Sequence, residues 1–303
     1  MKRHALWFTK PFHVAVREAP LPRLQADEML VQTAVSAISP GTEMLLYRGQ
    51  MPTELALDET IAALAGGVAF PLKYGYAAVG QVVETGKAVD ARWHGRYVFA
   101  FNPHESHFIT KPEDVLPLPD GMKAETAVFL PSMETAVSFV MDGSPVIGER
   151  VVVFGQGVVG LLTTLLLAQF PLADLVTVDG YALRREWSAR MGATATSASA
   201  VYDPAEEIPI QDADLTYELS GNPAALNQAI AVTGVAGRVV IGSWYGQKRA
   251  EINLGGAFHR SHMRLISSQV SHLNPRWRGR WTKSRRLDVA WQLLAEHDPS
   301  PLI

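Results

Sequence analysis

The feature that most constrains this chain is a glycine-rich turn placed between an apolar strand and an apolar helix. Residues 151–160 read VVVFGQGVVG, and an apolar run follows them up to Phe170. In this pattern Gly155 permits the sharp turn, Gly157 lets the backbone approach a ligand, and Gly160 lets the helix pack against the sheet. The free N–H groups at the start of the helix attract phosphate groups. We therefore predict a dinucleotide-binding turn at this place.

An acidic residue at the end of the next apolar strand completes the pattern. Residues 175–178 read LVTV, and Asp179 follows them at about the expected distance, roughly 20 residues, from the first glycine. A carboxylate at this place bonds both ribose hydroxyls and repels a 2′-phosphate. We therefore predict that the cofactor is NAD, while Arg184, just downstream, leaves NADP as the alternative.

Further cofactor contacts are expected at two later strand ends. Ser220 follows a predicted strand over 213–219, and Ser243 follows another over 238–242. Ligands of open α/β sheets collect at the carboxyl ends of the strands. The complete set of predicted contacts is Gly155, Gln156, Gly157, Val158, Val159, Gly160, Asp179, Arg184, Ser220, Gly242 and Ser243.

Composition and charge exclude several classes of function. The 303 residues are more than one hydrophobic core usually serves, so we predict two domains. The net charge of −3 gives no general attraction to nucleic acid or to an anionic membrane, and we expect neither as a partner. The longest apolar segment, 158–170, is too short to span a bilayer. The chain has no cysteine, which excludes disulfides and permits a reducing compartment, so we expect a cytoplasmic protein.

The hydrophobic pattern changes its period along the chain. Short strand patterns punctuated by proline predict a β-rich domain over 1–121, in which 54–65 is compatible with a helix or an insert. Strands alternate with helices over 122–271, which predicts a doubly wound parallel sheet; its first helix, over 124–141, should break at Pro131. We assign 272–303, with a helix over 287–296, to the first domain.

This order of parts resembles the medium-chain dehydrogenase/reductase superfamily. The motifs that carry the resemblance are VSAISPGTE at 35–43, GYAAVG at 75–80, the glycine turn at 155–160, ELSG at 218–221 and GRVVIG at 237–242. The stretch 38–52 is locally similar to the bacteriochlorophyllide dehydrogenase branch. The resemblance implies an α/β protein with a GroES-like catalytic domain and a Rossmann domain. It also implies an NAD(P)-dependent oxidoreductase that transfers hydride to or from a small molecule.

The chain departs from the zinc-dependent members of this superfamily at the metal-binding positions. Those members place a cysteine at the position of Ser39 and a His-Glu pair at the positions of Tyr76 and Ala77, with a third ligand near Leu130. Zinc binds Cys, His or carboxylate side chains in tetrahedral geometry. Because these positions do not supply that set, we expect no zinc.

The loops that carry zinc in the family are expected to supply the catalytic groups. Ser39, Thr42 and Tyr76 offer hydroxyl donors, and Glu43 is placed to orient its loop or relay a proton. Each has a structural alternative: Thr42 caps a helix, Glu43 is a structural acid, and Tyr76 fills the pocket. Glu134 is a weaker catalytic candidate.

Three functions are compatible with this pattern. The first is a zinc-independent NAD-dependent dehydrogenase of alcohols or ketones. The second is a zinc-free quinone or enoyl reductase of the same fold, and the third is a non-catalytic dinucleotide-binding protein. The family continues with further helix and strand beyond the position of Ile303, so we expect a more open pocket or a partner chain, as in a homodimer, on that side.

Two groups of charged or titratable residues remain outside this scheme. The histidine pairs His104/His107 and His259/His262 have the spacing i, i+3, but they follow loop signals, so we interpret them as exposed loop histidines. The basic run over 276–286 is interpreted as a solvated surface, with an anchor for a substrate carboxylate or phosphate as the alternative. Its cations are Arg276, Arg278, Arg280, Lys283, Arg285 and Arg286.

Overall fold

The computed structural model describes residues 2–52, 54, 66–198 and 208–303. Contacts divide the chain into one unit of Met1–Pro131 with Trp291–Ile303, and a second unit of Ser132–Ala290. The predicted boundaries after 121 and after 271 therefore differ from those of the structure. Residues 272–290 belong to the second unit, where Arg286 pairs with a residue near its start. The predicted helix or insert over 54–65 lies outside the described residues, apart from Glu54.

The first unit is built from antiparallel strands. Strands β1 (Lys2–Lys10) and β2 (His13–Pro20) form a hairpin. A five-stranded sheet contains β3 (Met29–Ser36), β4 (Ala78–Thr85), β5 (Tyr97–Ala100), β6 (His107–Thr110) and β7 (Val115–Pro117). Its spatial order is β6-β3-β4-β5-β7. Apolar side chains from these strands, among them Met29, Val31, Val82 and Phe108, form the core of this sheet.

The second unit contains a six-stranded sheet in which every neighbouring pair is parallel. The strands are β8 (Arg150–Phe154), β9 (Asp174–Val178), β10 (Ala195–Ser197), β11 (Ala213–Glu218), β12 (Thr233–Ile241) and β13 (Arg264–Ser267). Their spatial order is β10-β9-β8-β11-β12-β13. Numbered within this unit the order is 3-2-1-4-5-6, that of the Rossmann fold. The predicted doubly wound sheet is confirmed.

Both faces of this sheet are covered, which explains the continuous apolar run at its centre. Val152 and Phe154 of β8 pack into one core cluster, and Val151 and Val153 pack into another. Because successive side chains of a strand point to opposite faces, a strand buried on both sides needs apolar residues at every position.

Seven α-helices lie among the described residues. They are α1 (Thr42–Tyr47), α2 (Ala124–Ala127), α3 (Leu130–Gly143), α4 (Val158–Leu167), α5 (Ala182–Arg190), α6 (Ala225–Val232) and α7 (Lys283–His297). The predicted break is found between α2 and α3, since Pro131 is the second residue of α3, where a missing N–H costs nothing. None of the described helices has the length and apolar character needed to cross a membrane.

Candidate active site

The glycine turn has the geometry that a dinucleotide requires. Gly155 has a φ of +90°, and a Cβ there would lie 2.5 Å from the Cα of Ser220. A Cβ at Gly160 would overlap the carbonyl oxygen of Gly155. By contrast, a Cβ at Gly157, the N-cap of α4, would meet no atom within 4 Å. Packing therefore explains two of the glycines, while the third leaves open space at the start of a helix, where a pyrophosphate fits.

Asp179 lies directly over this turn at the end of β9. It is buried, and its Oδ2 accepts a hydrogen bond from the backbone N–H of Gln156 at 2.7 Å. Its Oδ1 accepts from the backbone N–H of Tyr181 at 2.9 Å, and Arg184 Nη1 lies 3.5 Å from Oδ2. The two carboxylate oxygens retain further lone pairs that can accept hydrogen bonds from ribose hydroxyls.

A cleft in the second unit brings several predicted cofactor residues together. It is lined by Phe154, Gly155, Val178, Asp179, Gly180, Tyr181, Arg184, Ser220, Asn222 and Ala225. The guanidinium of Arg184 stacks over the ring of Tyr181, with Cζ 4.7 Å from the ring centroid. The cleft thus combines the carboxylate, the turn and one cation, which suits the adenosine half of a dinucleotide.

Three other predicted contacts have structural explanations of their own. The side chain of Gln156 is buried, and its Oε1 accepts from Thr164 Oγ1 at 3.0 Å, so only its backbone faces the turn. A Cβ at Gly242 would lie 2.6 Å from Leu219 Cδ2, so packing accounts for this glycine. Ser243 Oγ accepts from the N–H of Gly221 at 2.8 Å and thereby joins the loops after β11 and β12. Val158 and Val159 lie half-buried in the first turn of α4.

Glu218, a buried acid at the end of β11, was missed as a functional residue by the sequence analysis. Its Oε1 accepts from the backbone N–H of Ser220 at 2.8 Å and from the hydroxyl of the same residue. Its Oε2 accepts from the hydroxyl of Tyr245. Burial, and then the adjacent carboxylate, raise the pKa of Tyr245, so this phenol stays a hydrogen-bond donor. Glu218 therefore sets the position of Ser220; the ELSG motif was the available signal.

In the first unit, Glu43 closes the loop that carries Ser39 and Thr42. Glu43 is buried, its Oε1 accepts from the N–H of Ser39 at 2.8 Å, and its own N–H donates to the Ser39 carbonyl at 3.1 Å. The N–H of Thr42 lies 3.4 Å from Ser39 Oγ. The N-cap of α1 is Gly41 and Thr42 is the first helical residue, so the prediction that Thr42 caps this helix is wrong. Gly41, the preceding residue, already occupies the N-cap position.

The prediction that His104 is an exposed loop histidine is wrong. His104 is buried, with Nε2 at 2.9 Å from Glu43 Oε2 and Nδ1 at 2.9 Å from Ser36 Oγ. The physical reason is long-range pairing, because the N–H of Leu6 in β1 donates to the His104 carbonyl at 2.9 Å. His107 is half-buried. His259 and His262 are exposed, as predicted.

The turn that carries Tyr76 lies against the same group. Gly75 has a φ of +134°, and a Cβ there would lie 2.8 Å from His104 Nε2, so the turn approaches the imidazole ring closely. Tyr76 is half-buried and packs edge-on against Tyr74, with ring centroids 6.3 Å apart. The N–H of Ala37 donates to the carbonyl of Ala77 at 3.0 Å. The four predicted catalytic residues therefore lie on two adjacent segments of the first unit.

The side chains at the family's metal-binding positions do not fit zinc. Ser39 offers a hydroxyl, Tyr76 a phenol, and Leu130 is a fully buried apolar residue. Zinc prefers thiolate, imidazole or carboxylate ligands. Within residues 2–52, 54, 66–198 and 208–303, no group of three His, Cys, Asp or Glu side chains is placed to hold a metal ion.

The basic run is not uniformly solvated, which corrects the prediction for Arg286. Arg286 is almost fully buried, and its Nη2 donates to Glu134 Oε1 at 2.8 Å and to the Val270 carbonyl at 2.5 Å. Helix α7 begins at Lys283, earlier than predicted, and this places Arg286 on its buried face with Ala290. Burial raises the pKa of Glu134 and the neighbouring guanidinium only partly offsets this. The remaining cations, Arg276, Arg278, Arg280, Lys283 and Arg285, are exposed.

Similar proteins with known activities are dehydrogenases. No protein-family model matches the chain. The chain is 25% identical over 306 residues to D-guloside 3-dehydrogenase of Escherichia coli K12, covering 94% of this chain and 86% of that protein. It is 26% identical over 269 residues to sorbitol dehydrogenase 1 of Saccharomyces cerevisiae, covering 75% of this chain and 72% of that protein.

Solved structures share the fold over almost the whole chain. A protein assigned as a zinc-binding dehydrogenase of Sinorhizobium meliloti, bound to NADP, has a TM-score of 0.73 at 20% identity. The match covers 97% of this chain and 90% of that one. Another neighbour, an alcohol dehydrogenase of Escherichia coli, is in complex with NADH. This likeness confirms the predicted GroES-like and Rossmann fold.

The fold, the glycine turn and the dehydrogenase relatives define one class. The protein is an NAD(P)-dependent dehydrogenase, and it is similar to dehydrogenases of the medium-chain type. The narrower similarity of residues 38–52 to the bacteriochlorophyllide dehydrogenase branch stays a prediction.

Proposed function

We propose that the protein transfers hydride between NAD and a secondary alcohol or the corresponding ketone, without a catalytic zinc. The observation that carries this proposal is the pairing of two segments in the first unit. Ser39 and Tyr76 stand at positions where the resemblance implies metal ligands in zinc-dependent members, Thr42 lies on the same loop as Ser39, and Glu43 bonds to the Ser39 backbone. Hydroxyl groups can donate hydrogen bonds to a carbonyl oxygen, and they thereby polarise it as a catalytic zinc ion does in zinc-dependent enzymes.

The substrate class is proposed from the relatives. Their names are those of dehydrogenases for a D-guloside and for sorbitol, both polyhydroxylated molecules. Several hydroxyl donors in one site suit such a substrate, because its own hydroxyl groups need hydrogen-bond partners when they leave water. We therefore propose a polyol or sugar derivative with a reacting secondary hydroxyl.

Each residue of the candidate site has a separate role in the proposed reaction. The nicotinamide cofactor supplies or accepts the hydride when it is bound. In ketone reduction the Tyr76 phenol gives its proton to the substrate oxygen and becomes a phenolate, and in alcohol oxidation the phenolate takes the hydroxyl proton; Ser39 and Thr42 hold the same oxygen in place. Glu43 orients the Ser39 backbone through its 2.8 Å hydrogen bond.

NAD is the proposed cofactor because of Asp179. A buried carboxylate held by two backbone N–H groups is a good acceptor for ribose hydroxyls and a poor neighbour for a 2′-phosphate. Arg184 lies beside it, but its nearest nitrogen is 3.5 Å from the carboxylate and the charge is partly neutralised. The proposed order of affinity is therefore NADH above NADPH.

One assay tests the function and the absence of zinc together. The purified protein is incubated with a chelator and assayed with NAD and NADP against polyols, secondary alcohols, ketones, quinones and enones. We expect NAD-dependent turnover of a polyol or secondary alcohol, unchanged by the chelator, and far less than one zinc per chain by elemental analysis.

Each of the other outcomes indicates a different function. About one zinc per chain, with activity lost in chelator, overturns zinc independence. Turnover restricted to quinones or enones with NADPH identifies a reductase instead. Binding of NADH without turnover of any compound identifies a binding protein.

A further inference from the structure

A buried histidine that has no step in the proposed reaction contacts every segment that carries the reacting groups. We infer that His104 is a positioning residue, which fixes the backbone of the Ser39–Thr42 loop by acting through Glu43. This inference rests on the proposed function, because the proposed reaction requires the hydroxyl groups of this loop to be held in place.

The two oxygens of Glu43 are committed to two different partners. One accepts from the N–H of Ser39 at 2.8 Å, and the other lies 2.9 Å from His104 Nε2. The Glu43 side chain is 2% exposed and that of His104 is 9% exposed. A carboxylate at this depth needs a partner for each oxygen, since water does not reach it. Removing the imidazole therefore leaves one oxygen buried without this donor, and the carboxylate must shift to find another partner.

The tautomer of the ring follows from its partners. A carboxylate only accepts hydrogen bonds, so Nε2 of His104 carries the hydrogen that faces Glu43. In the neutral ring, Nδ1 then accepts from the hydroxyl of Ser36, 2.9 Å away. Both ring nitrogens are thus used, and the ring orientation is set from the end of β3 on one side and from α1 on the other.

The third contact of the ring is with the turn that carries Tyr76. Gly75 has a φ of +134°, and a Cβ there would lie 2.8 Å from His104 Nε2. Because only glycine leaves room for the ring at this distance, the turn and the imidazole are matched in shape. His104 therefore contacts the end of β3, the start of α1 and the turn before Tyr76, which are the segments of the candidate site.

Three variants separate this role from a general effect on folding. In His104→Ala the donor to Glu43 is lost. In His104→Gln an amide N–H can replace the donor to Glu43, although the contact with Ser36 weakens. His107→Ala is the matched control, because His107 is half-buried in β6, three residues away, and its Nδ1 contacts Ser106 Oγ at 3.2 Å.

Amide hydrogen exchange reports on the hydrogen bond between the Ser39 backbone N–H and Glu43. The Ser39 amide is bonded to Glu43 in the wild type, so we expect its exchange to become about tenfold or more faster in His104→Ala. We expect an intermediate rate in His104→Gln and the wild-type rate in His107→Ala. This measurement needs neither substrate nor cofactor.

Kinetics measure the consequence for the reaction. For the polyol or alcohol turned over by the wild type, we expect kcat to fall about 10- to 100-fold in His104→Ala, because misplacement of a group by about 1 Å has effects of this size. Binding of NADH should stay within about twofold of the wild type, since the glycine turn and Asp179 belong to the second unit. A merely structural role would instead lower the melting temperature and leave kcat of the folded protein unchanged.

The outcomes separate the two claims. Wild-type exchange at Ser39 in both His104 variants overturns the inference, as does faster exchange with an unchanged kcat. If His104→Ala does not fold, the intermediate exchange and kcat of His104→Gln decide in its place. A wild-type protein that turns over none of the assay compounds refutes the proposed function, and the exchange rates then decide alone whether His104 fixes the loop.

Discussion

The carboxylate of Asp179 accepts a hydrogen bond from the backbone N–H of Gln156 at 2.7 Å. The acid at the end of β9 is thereby joined to the middle of the glycine turn at the end of β8. The two parts of the sequence fingerprint, separated along the chain by α4, meet at the carboxyl edge of the parallel sheet, where this fold binds its ligands.

Cofactor preference should depend on Asp179. In Asp179→Ala the acceptors for the ribose hydroxyls and the repulsion of a 2′-phosphate are both lost. We expect NADH to bind about tenfold more weakly, about 1.4 kcal/mol, and the preference over NADPH to narrow or reverse. Fluorescence titration of both cofactors checks this.

Asp174→Ala is the control for this change. Asp174 is the first residue of β9, at the opposite end of the strand from Asp179, and it pairs with Arg150. The affinity for NADH should therefore stay that of the wild type. A wild-type protein that binds NADPH tenfold more tightly than NADH contradicts the assignment.

Two glycines of the turn should respond to alanine in opposite ways. At Gly157 the added Cβ meets no atom within 4 Å, so Gly157→Ala should fold normally and bind NADH about tenfold or more weakly, because the methyl takes the space of the pyrophosphate. At Gly160 the Cβ overlaps a backbone carbonyl, so Gly160→Ala should lose about 1–3 kcal/mol of stability.

Thermal unfolding and NADH titration of both variants measure stability and cofactor affinity separately. Equal melting temperatures, or equal NADH affinities, in the two variants would show that the turn does not separate packing from ligand contact in this way.

The buried pair of Glu134 and Arg286 should produce a pH-dependent stability. Burial raises the pKa of Glu134 above its ordinary range. Between the ordinary glutamate pKa, about 4.3, and this raised value, the folded protein holds more protons than the unfolded one. The contribution of Glu134 to the free energy of unfolding is therefore fully present below the window and decreases as pH rises through it.

Variants of the pair test the sign. Arg286→Ala leaves a buried acid without its cation and should cost about 3–5 kcal/mol at neutral pH, with the loss smaller in acid, where Glu134 is protonated. Glu134→Gln should remove the pH dependence of this site. Asp288→Asn, at an exposed position of the same helix, is the control. Denaturant unfolding at several pH values measures these differences, and a loss in Arg286→Ala that grows in acid contradicts the argument.

The sequence predicts the parts of the fold that depend on local pattern. The apolar run of β8, the glycines and α4 follow from residues next to one another, and these were found. The strands β7 and β10 were not predicted, because each has three residues and no periodicity to read. Strand β10 exists through its parallel pairing with β9, which is a tertiary contact.

The same distinction explains the site. His104 follows a proline and has the local signals of a loop, and its burial comes from β1 and Glu43, far away in sequence. Arg286 belongs to a run of cations, and its burial comes from Glu134, 152 residues earlier. A homodimer, a cytoplasmic location and the absence of nucleic acid as a partner stay predictions.

Activity should depend on the hydroxyl of Tyr76. Tyr76→Phe keeps the ring that packs against Tyr74 and removes the hydroxyl donor. In the proposed reaction the substrate oxygen then loses its proton donor, and we expect kcat to fall about 100-fold or more, which is the usual contribution of a positioned acid or base. The affinity for NADH should be unchanged, because its predicted contacts lie in the second unit.

Tyr97→Phe, on an exposed position of β5, is the matched control and should keep wild-type kcat. Retention of kcat in Tyr76→Phe with a polyol or alcohol would remove Tyr76 from the chemistry. The same retention with an activated alkene would favour the enoyl reductase, since hydride addition to carbon does not need a donor at that oxygen.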